Sequence, residues 1–332
     1  MTFGASILFA ALQISFVGET PSRTEGVGLS GLAWRGGDQY YAVNDRGGEL
    51  YAMTIAIDRR TGYVTSCELG PKVVLAGRKD LESVVWDAAR GCVWASDEGD
   101  GSVRAFDPVT GTHLCDLHLP EVYTAVRSNF AIEALALRAS GHELWMCNEE
   151  ALSRTAAISR HGAPVEDGPR ATAAHGSHVR LQRFVRETPA ADWRPNGQWA
   201  YEVDPLGGRV DIFNKARSGV SELCALPDGT LLVLEREFSL KKLCPLFRCR
   251  IYQVDWSAAT DVSNLPSLVD ETAYQKVRKT LVFERLTGFT MYESLCPGPT
   301  LDDGSQVLVL VADAGEGSAA NIMTLKVRHM DD

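Results

Sequence analysis

Ten carboxylates recur at matched places along this chain: Asp45, Glu82, Asp97, Glu98, Glu133, Glu149, Glu222, Glu235, Glu293 and Asp313. The clearest case is LESVVWDAARGCVWASDEGD, residues 81–100. Glu82 opens one apolar run, a turn built on Asp87, Arg90 and Gly91 follows, and a second apolar run ends on Asp97 and Glu98. That is the pattern of a β-hairpin, and because the second strand runs back antiparallel, acids at its two outer ends share one edge. The same arrangement recurs four times: SGLAW from Ser30 to Asn44 and Asp45, EALAL from Glu133 to Asn148 and Glu149, ELCAL from Glu222 to Glu235 and Arg236, and ESLC from Glu293 to Asp313. From first to second member the spacings are 15, 15, 16, 13 and 20 residues, each about one hairpin.

Carboxylates crowded at one mouth repel, which raises their pKa values unless cations intervene. Cations that accept an all-oxygen shell, Ca²⁺ above all, resolve that conflict. Any single acid of the set is accounted for as a strand cap or an arginine partner. As a set they point to a metal or substrate site, because a strand-opening Glu is a poor packing choice and it is made four times. Glu82, Glu133 and Glu222, with Arg236, are the candidate catalytic groups. Arg46, beside Asp45, and Arg236, between Glu235 and Glu237, are either ion-pair partners or a fork for two oxygens of an anionic substrate. No GxSxG, HExxH or GxxxxGK[ST] motif is present, and the seven His fall at no ligand spacing.

The elements that must hold these acids are hairpins followed by two further strand-like runs. Successive units begin 52, 51, 89 and 71 residues apart, at or above the roughly 40 to 50 residues of a four-stranded propeller blade. Outer pairs are expected at 50–57 and 72–76, 102–106 and 113–119, 179–185 and 198–203, and 250–254 and 279–284. The fifth unit has only 321–327, one strand short, while 12–17 alternates as a spare strand at the other terminus. Joining the two closes a ring and removes the exposed sheet edges. The expected fold is therefore an all-β propeller of five blades closed by the N-terminal strand, a single domain over 12–332 after an extension at 1–11, with a sixth blade only if 151–219 conceals another sheet. Residues 151–177 and 188–197 read as long loops, and 272–280 as a short helix.

The formal net charge of −10 argues against nucleic acid or an anionic membrane as partner and fits a small anionic substrate once cations are bound. A monomer is expected. The start of the chain lacks the basic residues and long apolar core of an export signal, having no Lys or Arg before Arg23, and no run reaches the roughly 18 residues of a membrane span. Of eight Cys, most read as small buried apolar residues. Cys244 and Cys249, flanking a Pro-containing turn, are the best candidates for a bridge in an exported protein.

The ordered set SGL, LESV with SDEG, IEALA with NE, VSEL with LLVLER, and YESL with AD resembles the phytase-like family described by its esterase-like activity of phytase. The resemblance spans about 12–327, with Val220 to Glu237, the segment GQWAYEVDP and Asn129 to Glu150 its most specific pieces. Ser83, Ala134 and Ser294 stand where that family usually has Gly after the motif Glu. The resemblance implies a β-propeller, export, and, through the distantly related alkaline phytases, Ca²⁺ at an acidic channel mouth acting on a phosphoric ester. A non-enzymatic binding platform and a metal-dependent lactonase or esterase remain open beside that reading.

Overall fold

The computed structural model describes residues 11–330 except 23, 25–26, 79, 126–130, 159–163, 208–215, 242–243 and 314–320. The extension expected at 1–11 lies almost wholly outside the described residues. Five antiparallel sheets follow one another around an axis. Blade I comprises Leu29–Gly36, Gln39–Asn44, Glu49–Ile57 and Val64–Val74; blade II, Leu81–Asp87, Cys92–Asp97, Ser102–Phe106 and His113–Asp116. Blade III comprises Ile132–Leu137, Glu143–Asn148, Ser177–Val185 and Arg194–Val203; blade IV, Arg217–Ala225, Leu231–Lys241, Cys244–Asp255 and Arg278–Gly288. Blade V comprises Cys296–Thr300, Gln306–Asp313, Asn321–His329 and, as its fourth strand, Leu12–Pro21 from the N-terminal end. The pairing of Leu12 with His329 through Pro21 with Asn321 is the closure expected from the sequence.

The inner strands are buried on both faces while the outermost of blades I, II and IV are largely exposed, and apolar side chains fill the seams between neighbouring blades: Leu232 and Leu234 with Leu308 and Leu310 between IV and V, for example, and Trp145 with Val220 and Val233 between III and IV. Among the described residues of 151–219 there is no sixth blade, since 177–203 form the outer pair of blade III and 151–176 stand apart from it. The latter are also not a plain loop, since Ser153–Ile158 pairs with Pro164–Glu166 as a two-stranded ribbon. The last strand of blade I begins at Val64 rather than 72, and 272–280 reduces to a single 3-10 turn, Glu271–Ala273, before the strand at Arg278. The Cys244–Cys249 bridge is not formed. Both residues lie on the strand Cys244–Asp255, five positions apart and hence about 17 Å, far beyond the roughly 7 Å that a disulfide can span. Cys249 is a free, buried thiol.

The inner strands set the level of every residue at the axis. Each contributes three residues to the narrow apolar channel: 32–34, 84–86, 135–137, 223–225 and 295–297. One position above them stand Gly31, Ser83, Ala134, Glu222 and Ser294, and two positions above stand Ser30, Glu82, Glu133, Ser221 and Glu293. At this upper level the inner strands bulge: the pairing skips between Leu29 and Gly31, Leu81 and Val84, Ile132 and Ala134, and Val220 and Glu222. A bulged residue has no cross-strand partner and is re-aimed, here at the channel mouth.

Candidate functional site

Two of the bulged positions carry acids, and a third acid joins them from blade V. Glu82, Glu133 and Glu293 come from the inner strands of blades II and III and from the break in blade V, where Glu293 and Ser294 both donate their N–H to the Val311 carbonyl. The ends of the second strands supply Glu98 and Glu149, and a residue just before blade II supplies Asp80, whose carbonyl accepts from the Glu98 N–H at 2.8 Å. Carboxylate oxygens of Asp80, Glu82 and Glu98 lie within 4.8 Å of one another, as do those of Glu98, Glu133 and Glu149, so two triads share Glu98. The space that lets Glu149 enter the mouth is left by Gly219, where a Cβ would come to 2.6 Å from Glu149 Cγ.

Among the described residues, one cation stands inside this cluster of six acids. Arg236 lies 2.8 Å from Glu149, 3.3 Å from Glu293 and 3.4 Å from Glu133, and it donates to Met291 Sδ at 3.1 Å. Burial opposes its charge, but Glu149, Glu293, Glu133 and Glu82 together hold it protonated. Arg236 occupies in blade IV the place that Glu98 and Glu149 occupy in II and III, the residue just past the pair that flanks the bulge, although in blade IV the pairing runs on and sets Arg236 opposite Gly219.

One guanidinium does not balance six carboxylates. Burial, with Glu293, Glu98 and Asp80 nearby, lifts Glu82 well above the usual carboxylate range, and burial with Glu82 and Glu149 does the same to Glu133. Burial pushes Glu98 up to about 7 against the Ala131 N–H that it accepts, and pushes Glu149 up to about 8 against Arg236. Glu293 is raised by burial and by Asp45, and Asp80 by burial and by Asp97. A Ca²⁺ ion holds its oxygens at 2.3 to 2.6 Å, which puts ligand oxygens at most about 5 Å apart, so both triads fit such an ion in donor type and in spread.

Five of the expected residues, Asp45, Arg46, Asp97, Glu222 and Glu235, lie outside the cluster. Glu222 is one position below Glu133, at the level where the other blades offer Gly31, Ser83, Ala134 and Ser294, and its carboxylate fills the space those small residues leave. It accepts from Ser83 Oγ at 2.8 and 3.0 Å and from the N–H groups of Leu135 and Leu223 at 3.0 Å, bracing blades II, III and IV across the axis. Burial raises it well above the usual range, against those hydrogen bonds. Glu235 alternates with Arg236 and faces the other way, into blade III, on Lys279 at 2.6 Å and Tyr201 Oη at 2.6 Å. Asp97, one residue before Glu98, turns likewise and pairs with Arg78 at 3.4 Å. Arg46 is half-exposed at the rim, 3.5 Å from Asp45, whose charge reaches Glu293. Asp313 ends its strand opposite Met291, and its side chain lies outside the described residues.

Sequence reasoning missed Asp80, although it directly precedes the LES motif. It also aligned Glu222 with Glu133, where the short spacing of 13 to Glu235 marked blade IV as offset; from Ser221 the count to Arg236 is 15.

With the mouth in view, comparison with known proteins is decisive for lineage. A family model described as phytase-like, "esterase-like activity of phytase", matches residues 24–314. The chain belongs to the phytase-like family. No curated protein matches. Among solved structures, this phytase-like chain is similar to an endo-arabinase from Bacteroides thetaiotaomicron (10% identity, TM-score 0.45, covering 96% of this chain and 99% of that one). It is similar too to the glutaminyl cyclase of Myxococcus xanthus (9%, 0.42, 97% and 99%) and to an aldose sugar dehydrogenase from Streptomyces coelicolor (10%, 0.41, 96% and 99%). At such values no activity transfers. Among the described residues no helix is long and apolar enough to cross a membrane.

Proposed function

We propose that this phytase-like protein is a Ca²⁺-dependent hydrolase of a small phosphoric ester, acting at the mouth of the propeller channel. The observation that carries the reading is that, among the described residues, six carboxylates cluster around one arginine, in two oxygen triads joined at Glu98. Asp80, Glu82 and Glu98 would hold one cation and Glu98, Glu133 and Glu149 a second. When bound there, Ca²⁺ supplies positive charge for the ester's oxygens and a water of lowered pKa.

The protein's own groups do the rest. Near neutral pH in the metal-free mouth Glu149, at about 8, is mostly protonated and Glu98, at about 7, about half so, and both release their protons as a cation arrives. Arg236 screens Glu133, Glu149 and Glu293, which lowers the repulsion that an incoming anion meets. Its planar fork can also take two ester oxygens if it trades one carboxylate for the substrate. Arg46 supplies a second positive charge at the rim. Glu222, bridging three blades beneath the acids, narrows the axis so that ester and water enter from the mouth side. The same reading makes the protein a monomer working outside the cytoplasm, where calcium is abundant enough to fill sites of modest affinity.

The test is metal analysis of protein purified without chelator, followed by nitrophenyl phosphate, phytate and nitrophenyl acetate with and without Ca²⁺. Phosphate release that needs Ca²⁺ is the expected result, and Arg236→Lys should lower it about tenfold, since the charge stays and the fork is lost. Cleavage of the acetate alone would replace the phosphoric ester by a carboxylic one. No cleavage by the calcium-loaded protein across the neutral range would sink the reading.

A further inference from the structure

Among the described residues, blade IV is the one whose second and third strands run on as a paired hairpin beyond the mouth. Beyond the pair Arg236–Cys249 at mouth level, its second and third strands stay paired for five more residues, from Glu237–Arg248 to Lys241–Cys244, rising about 17 Å above the acids. Phe238 lies two residues past Arg236 and therefore on the same face, the one that meets blade V. Its ring packs on Phe247, its cross-strand partner, at 5.0 Å, and Phe247 packs on Phe289 at 6.1 Å. Phe289 sits on a tight turn after Gly288 (φ 64°), closed by the Thr290 N–H on the Thr287 carbonyl. That turn holds its ring 79% exposed. Two residues on, Met291 accepts from Arg236. The three rings thus stand on the same strand face as Arg236, about 7 Å further along the strand from it, with the acid cluster below.

A cross-strand aromatic pair stabilises a hairpin, but that role does not call for a third ring presented to solvent. We propose that Phe238, Phe247 and Phe289 form a substrate subsite that seats a planar apolar group next to the ester, so that the preferred substrate is an aryl or similarly apolar phosphoric monoester rather than a polyol phosphate. This inference rests on the phosphoric-ester reading for the anionic end of the ligand. The rings supply flat apolar area at fixed position, and an aromatic group bound against them gains stacking as well as burial.

The experiment is calorimetric titration of the calcium-loaded protein with naphthyl phosphate and with β-glycerol phosphate, alongside hydrolysis of both. The naphthyl ester should bind about tenfold tighter, the size expected for one well-seated aromatic group. Phe289→Ser and Phe247→Ser should each erode that preference, and Phe289→Tyr should retain it. Equal affinity of wild type for the two esters, a preference that survives both Ser variants, or binding of neither ester would overturn the subsite. A lowered melting temperature in Phe247→Ser with the preference intact would reduce the rings to hairpin packing and overturn it equally. Tighter binding of the naphthyl ester with neither ester cleaved would uphold the subsite and remove the hydrolase reading. Cleavage of both at equal KM would do the reverse.

Discussion

The strand Leu231–Lys241 carries two charge clusters, one on each face, and they are built on opposite plans. Glu235 and Glu237 enter a network with Asp204, Glu284, Arg248, Arg250 and Lys279, four acids against three cations. Lys279 also lies over the rings of Tyr201 and Tyr252, at 4.8 and 4.1 Å. Burial would raise Asp204, but hydrogen bonds from Lys279 and Tyr252 outweigh it and bring its pKa below the usual value. On the other face Arg236 is, among the described residues, the one cation within the cluster of six acids, pairing with Glu133, Glu149 and Glu293, and every one of the six is raised. The flank is close to neutral by itself and reads as architecture. The mouth is not, and it needs protons or a cation from outside.

Breaking the flank should have the largest effect. Arg250 is almost fully buried between Glu235 and Glu237, and removing one member of a buried pair costs about 3 to 5 kcal/mol because the other charges stay behind. Arg250→Met should therefore lower stability in urea by that much, equally in chelator and in Ca²⁺. A loss that Ca²⁺ repairs would mean the two clusters act as one.

A smaller effect separates the faces. Ca²⁺ at about a hundred times its Kd should stabilise the native protein by about 2.7 kcal/mol, since it binds the folded state. Glu98→Gln, which removes the acid shared by both triads, should abolish most of the accompanying rise in melting temperature, whereas Glu235→Gln should leave the rise in place. The reverse ranking would move the metal to the flank.

The gentlest probe is pH. Glu98 and Glu149 have folded values of about 7 and 8 against an ordinary 4.5, so between these limits the folded state binds more protons than the unfolded one. Stability of metal-free protein should then be highest near the ordinary carboxylate value and fall as pH rises through about 7 and 8. Ca²⁺ should cancel that fall and expel protons, visible as a binding enthalpy that changes with the ionisation enthalpy of the buffer. A flat profile without metal would mean that these acids are already ionised and balanced.

Much of this molecule was legible in one dimension. The recurring hairpins, the missing last strand, the spare first one and the acids at matched ends sufficed for a five-bladed closed ring, because strand period and hairpin return are local properties of the chain. What the sequence could not settle is which acids share the mouth. A strand exposes alternate residues to opposite faces, so a slip of one position exchanges site for scaffold. Arg236 and Glu235 differ by one such step, as do Glu98 and Asp97. The bulges add the second ambiguity: Ser221 takes the mouth position in blade IV, and Glu222 drops to the level of Ser83 and Ala134 to become a brace. Only the packed blades, with Gly219 admitting Glu149 and Asp80 folded back onto Glu98, decided that six acids and one arginine meet, because register and close approach are settled between strands and not along them.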